Sequence, residues 1–366
     1  MRTGMAELPL HNGKAPRWLF YRMVRLSESV LDYMSYEYNQ RELLLRISNP
    51  FWFQALSCAL GFDWHSSGTT TTTLGALKQA CKPEEHGIAF AGGKGKASMR
   101  TKEEIENFGD IFNLPTVKIE SMRRASKLAA KVDNSCLQDG YQIYHHSFIL
   151  TEKGEWAVVQ QGMMAEKKYA RRYHWLGLKT KSFIDEPHEA ILCDTKEEKT
   201  LDMTSRKSEE ARKASIDLAN DGIKRLNRIV TGQRSLDEFT HPEIHFPKRH
   251  GIQRVDISPS GWKALKIASE IQPENYEELI SISGLGAKTI RALALLSELL
   301  FGTEASWKDP VKYSFAHGGK DGIPYPVDTK TYDETIDVLK NALQEAKVGN
   351  DEKYKALERL KIFTDI

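Results

Sequence analysis

Lys288 follows two glycines in the run Ile282-Ser283-Gly284-Leu285-Gly286-Ala287-Lys288-Thr289. Before it, Tyr276, Leu279, Ile280 and Ile282 recur at helical spacing; after it, the chain is rich in Ala and Leu to position 300. The pattern predicts helix, tight turn, helix. Gly284 and Gly286 permit the turn, and the second helix begins with bare N–H groups and the positive end of its dipole. Such a start attracts phosphate, and Lys288 and Thr289 add a cation and a hydroxyl.

A second concentration of reactive side chains lies between positions 139 and 174. Residues 141–150 and 156–163 alternate as two strands joined by a loop containing Gly154. Pairing Leu150 with Glu155 would set His145 opposite Gln160 and Tyr144 opposite Gln161. Alternation puts Tyr141, Ile143 and His145 on one face, and Gln142, Tyr144 and His146 on the other. Glutamine amides read base edges, and histidine serves as acid, base or metal ligand. Asp139 precedes the pair; Arg171, Arg172 and His174 follow it among aromatics, a combination that holds phosphates and stacks bases. The alternative is a satisfied polar network inside an α+β domain.

Other basic stretches could touch nucleic acid. Lys94 and Lys96 sit in the glycine-rich loop 92–96, which lets backbone approach an anion closely but lacks Walker spacing. Thr101 and Glu104 have capping-box spacing. A basic helix follows with Arg123, Arg124, Lys127 and Lys131. Lys248 and Arg249 lie in a proline-broken loop; His241, His245 and His250 there lack the spacing of a zinc helix. The threonine-rich run 66–73 reads as a phosphate-binding loop or a polar linker capping the next helix.

The run I-S-G-L-G-A-K-T resembles the helix-hairpin-helix DNA-binding motif. The later Y-P-V-D-T-K-T-Y-D resembles the segment that follows this hairpin in a superfamily of base-excision DNA glycosylases. That resemblance implies Lys288 as a nucleophile forming a Schiff base with the sugar and Asp328 as its partner, together a glycosylase with AP-lyase activity on damaged DNA. Neither step needs a cofactor. Most of the chain, through A-G-G-K-G-K, Q-D-G-Y-Q-I-Y-H-H and A-R-R-Y-H-W, also resembles a prokaryotic, largely archaeal family catalogued as domain of unknown function number 763. Two alternatives remain open. One is a nuclease whose Asp139, His145, Glu155 or Gln160-Gln161 would hold magnesium or manganese; the other is a non-catalytic DNA scaffold.

The totals constrain these readings. The 366 residues are 40% apolar and 28% charged, with a formal net charge of +2. A nucleic-acid binder must then concentrate its positive charge locally. No apolar run approaches the roughly 18 residues of a membrane span, and the first ten residues lack a signal peptide's apolar core, so a cytoplasmic location is expected. The four cysteines are scattered and read as small buried hydrophobes. A polar stretch near 200 suggests a boundary between two domains. Residues 1–200 would form an α+β domain with a small antiparallel sheet, and 201–366 an all-helical hairpin domain.

Overall fold

The computed structural model describes residues 15–61, 68–167, 169–193, 196–222, 224–227, 257–311, 329–346 and 348–364. Four helices open the chain: α1 (Arg17–Glu37), α2 (Gln40–Ser48), α3 (Pro50–Ala59) and α4 (Gly68–Ala80). Asn49 starts α3, its Oδ1 accepting from Phe51 N at 2.9 Å, with Pro50 in the first turn as the Asn-Pro pair predicts. The threonine run is neither loop nor linker from Gly68 onward. It is the first half of α4, with Thr69, Thr70 and Thr73 fully buried. Burial against α3 overrides β-branched propensity, and Thr73 donates to Ser57 Oγ at 3.0 Å.

The short α5 (Pro83–His86), β1 (Ile88–Lys94), the short α6 (Lys96–Met99), α7 (Thr101–Ile111) and α8 (Thr116–Lys131) follow. A five-residue π-helix, Val132–Cys136, ends α8 and runs into β2 (Leu137–Gln138). Next come β3 (Gln142–Thr151), β4 (Trp156–Met164), β5 (Tyr169–Leu176), β6 (Ala190–Leu192), β7 (Leu201–Asp202) and a 3-10 turn at Arg206–Ser208. The described remainder is helical: α9 (Glu209–Asn220), α10 (Pro259–Ile271), α11 (Tyr276–Ser281), α12 (Ala287–Phe301), α13 (Thr329–Glu345) and α14 (Asn350–Thr364). Among the described residues no helix is long and apolar enough to cross a membrane.

The architecture is α+β. Strands β1-β3-β4-β5-β6 form one antiparallel sheet, while β2 pairs with β7. Both faces of the larger sheet are covered. Ala89, Ala91, Phe148, Leu150, Val158 and Trp175 point into one core with α7, α8 and α9 to α12. Ile88, Phe90, Ile149, Ala157, Val159 and Leu176 point into another with α1 to α4, α13 and α14. Two-sided burial explains why these strands read as near-continuous apolar runs until they meet the His/Gln level.

The register differs by one residue from the expected one. Leu150 pairs with Trp156, so His145 faces Gln161 and His146 faces Gln160; beyond them a bulge between Ile143 and His145 absorbs Tyr144 and returns Ile143 and Gln142 to the expected register, opposite Gly162 and Met163. The capping box also fails to form. Thr101 Oγ1 donates to Ser98 O at 2.7 Å, and Glu104 instead accepts from Gly92 N and Lys78 Nζ, both at 2.6 Å. Lys78 also donates to Gly92 O at 2.7 Å, so both backbone groups of Gly92 are held by side chains. Gly92 has φ +88°, and a Cβ there would lie 2.2 Å from His146 O. Gly95, at φ +58°, has open space. Gly92→Ala should therefore destabilise by about 3 kcal/mol or more, and Gly95→Ala by about 1 kcal/mol. Denaturant melts of the two variants check the ordering.

Candidate functional site

Cross-strand pairing lays one polar row across the sheet: Lys94, His145, Gln161 and Arg172. Partners in register share a face, here the one covered by α2 to α4. Only Lys94 is exposed; its Nζ lies 5.8 Å from the centroid of the Tyr144 ring. Lys96 is exposed at the start of α6. His145 bonds Ser147 Oγ at 2.9 Å, and Gln161 Nε2 donates to Tyr144 OH. Arg172 is wholly buried; it donates to Gln54 Oε1 at 3.0 Å and stacks 4.7 Å over Phe53, whose ring meets His174 edge-on.

The opposite face carries His146, Gln160, Tyr173 and Arg171. A hydrogen-bond chain runs from Ser126 Oγ to His146 Nε2 (2.8 Å), from His146 Nδ1 to Gln160 Oε1 (2.8 Å), and from Gln160 Nε2 to Asp133 Oδ2 (2.6 Å). The Gln160 amide donates to a carboxylate, so its oxygen must accept from Nδ1–H, and Nε2 accepts from Ser126. Asp133, wholly buried on the π-helix, also accepts from Trp175 Nε1 at 3.0 Å and His188 Nε2 at 2.5 Å. Sequence reading missed Ser126, Asp133 and His188. A buried acid on an irregular helix breaks no periodic pattern, and His188 sits in a loop between strands.

Arg171 anchors a second cluster on this face. It donates to Asp139 Oδ2 at 2.9 Å and holds Asp309 through two bonds, 3.0 and 2.7 Å, while stacking 4.5 Å over Tyr141. Tyr173 OH donates to Asp139 at 2.7 Å. Burial opposes the Arg171 charge, but Asp139, Tyr173, Cys193 and Asp309 outweigh it and hold the guanidinium protonated. A solvent-side phosphate contact is not open to Arg171 or Arg172, since neither exposes any surface. The sheet stands between Asp139 and His145, and Glu155 pairs with Arg41 at the far end of β4, so the three are not brought to one metal site. Among the described residues no group of three or more His, Cys, Asp or Glu is arranged to hold a metal.

The glycine turn forms a third place of interest. Helix α11 ends at Ser281, Gly284 takes φ +87°, and α12 starts after Gly286, which offers no side-chain cap. Lys288 and Gly284 are exposed, whereas Thr289 is buried beneath α10. The basic helix α8 packs on this turn. Lys127 donates to Ser281 O at 3.1 Å, Lys131 to Leu285 O, and Gln138 to Ala287 O at 2.8 Å. Arg124 pairs with Glu277 on α11, and Arg123 with Glu120 and Glu106 on its own side. The cations of α8 therefore hold the turn. Asp328, Lys248, Arg249 and the three loop histidines lie outside the described residues.

Residues 4–327 match the family described as Protein of unknown function (DUF763). The chain belongs to that family. No curated protein and no solved structure matches the chain.

Two outcomes follow from the buried clusters. Burial, then His146, Lys94 and Lys78, pushes His145 down to about 3. Burial also lowers His146, and burial with Arg172 takes His174 well below its usual range. All three are biased toward the neutral form in the fold and bind protons more readily on unfolding below about pH 6.5. Their stabilisation is complete above that pH and is lost as pH falls, with a slope of about 1.4 kcal/mol per pH unit per fully engaged histidine. Denaturant midpoints from pH 8 to 4, with proton uptake measured on unfolding, check this. Asp309→Ala, leaving Arg171 half-partnered, should destabilise by about 3–5 kcal/mol in the same melts at pH 7.

Proposed function

We propose that this protein is a DNA-binding base-excision enzyme, a DNA glycosylase, that grips the phosphate backbone with the turn between α11 and α12. The observation that carries this reading is how the turn is oriented. Three of its carbonyls, at Ser281, Leu285 and Ala287, are engaged from the protein side by Lys127, Lys131 and Gln138. The carbonyls would repel an anion, and they are tied inward. Gly284 and Lys288 are left outward at the start of a 15-residue helix. An uncapped N-terminus with an exposed ammonium suits phosphate. The I-S-G-L-G-A-K-T resemblance supports the same ligand, and exposed Lys94 and Lys96 supply further cations.

The lyase step that the resemblance gives Lys288 and Asp328 asks more of Lys288. Its amine is exposed, and a nucleophilic lysine works best where water is excluded. Bound DNA would have to supply that exclusion.

Anisotropy with a fluorescent duplex carrying an abasic-site analogue tests the binding. Lys288→Ala should weaken it by roughly 5- to 10-fold and reduce the salt slope by about one. Gly284→Ala, which forces a Cβ to within 3.1 Å of Ser260 O at φ +87°, should weaken it further by distorting the turn. Salt-independent or absent binding by the native protein would sink the reading. Borohydride trapping on uracil, hypoxanthine, oxidised-pyrimidine and abasic substrates, in EDTA, tests the lyase; the adduct should vanish in Lys288→Ala.

A further inference from the structure

Two irregularities of the backbone converge on one pair of side chains. Asp133 stands on the π-helix that ends α8, a deformation found disproportionately at functional sites. His188 follows Pro187, and Glu186 before that proline has φ +45°, the left-handed region that non-glycine residues avoid. A residue preceding proline is further pushed toward extended conformations, so Glu186 is strained. The two distortions lie beside the two ends of one contact, Asp133 Oδ1 to His188 Nε2 at 2.5 Å.

The rest of the site fixes that contact in one sense. Gln160 and Trp175 both donate to Oδ2, leaving Oδ1 to His188. With Nε2–H donated to the carboxylate, the neutral ring carries its lone pair on Nδ1, and no described residue bonds Nδ1. The ring is held edge-on against Trp175 at 4.6 Å. This is a general base with its orienting acid, as a proton-transfer site requires. Both halves are tied to the glycine turn. Lys131 and Gln138, flanking Asp133 in sequence, bond Leu285 O and Ala287 O. The loop leading to His188 is fastened to α11 by Phe183 N, which donates to Glu277 Oε1 at 2.9 Å.

We propose that Asp133 and His188 form the proton-transfer site for hydrolysis of a base–sugar bond in DNA held at the turn. The inference rests on the glycosylase reading above. Water adds through its oxygen to the sugar C1′ while the C1′–N bond breaks, its electron pair leaving with the base. His188 Nδ1 takes the water's proton and returns it to the departing base, so the products are the free base and an abasic sugar. Asp133 orients the imidazole and stabilises the imidazolium, acting as a positioning residue.

The test pairs a variant with a measurement on the unaltered protein. Base release from the substrates above, in EDTA, should fall about 100-fold or more in His188→Gln, while affinity for the abasic-analogue duplex stays within about 2-fold. Asp133→Asn should lower the rate comparably without changing KM. In the unaltered protein, diethyl pyrocarbonate should modify His188, read by peptide mass spectrometry, and the abasic-analogue duplex should protect it. His145 and His174, at most 1% exposed against 5% for the His188 side chain, serve as unreactive controls. Base release in His188→Gln equal to that of the unaltered protein overturns the proposal. So does unchanged modification of His188 when DNA is demonstrably bound, and that result leaves DNA binding at the turn standing. No DNA binding by the unaltered protein removes the glycosylase reading and this proposal together.

Discussion

A charge sealed from water at Arg171 dictates how distant parts of this chain meet. The guanidinium exposes no surface, and an isolated ion in such a place would be several kcal/mol unfavourable. It is tolerable because Asp139 and Asp309 both bond to it and Tyr141 stacks on it. Those partners come from the bend before β3 and from the segment after α12. The Asp309 carboxylate also accepts from Glu197 N at 2.6 Å and Val311 N at 3.1 Å, so its own oxygens are saturated. One buried cation thus fixes the sheet, the strand following it and the chain leaving the helical hairpin.

The same logic governs the polar level of the sheet. Below it, two-sided burial is apolar and needs no partners. At it, alternate rows send histidine, glutamine and arginine to opposite faces, each row meeting a different helical layer. The α8 side supplies Ser126 and Asp133, and the α3–α4 side supplies Gln54 and Thr70. Each helical layer thereby supplies partners to its row, and sliding any strand by one residue would deliver every such group to the wrong layer.

Much of this was legible in the residues. The α+β class, the β3–β4 pair, the start of α3 and the helix-turn-helix around Gly284 follow from alternation, Asn-Pro and glycine punctuation. The register did not, because it is set at the turn, where Thr151 N bonds Glu155 O and Leu150 meets Trp156, a one-residue choice that alternation alone does not make. The threonine run misled because β-branched propensity is weak beside full burial. Arg171 and Arg172 read as phosphate contacts, with a buried polar network as the alternative, because sequence shows charge but not the acids, Asp309 above all, that fold back onto Arg171. Asp133 and His188, some 55 positions apart in sequence, have no spacing that links them.

The Arg171 cluster also sets a schedule for the chain as it is made. Residue 171 emerges from the ribosome well before residue 309, and the core on the α1–α4 side still awaits Leu339, Leu343 and Leu360. The sheet cannot reach its final state while Arg171 has Asp139 but not its second counter-charge, Asp309. Synthesis therefore leaves the first half of the chain waiting, with both faces of its sheet only partly covered, until the last third arrives. A chain cut short before position 305 would carry every strand and still be unable to close.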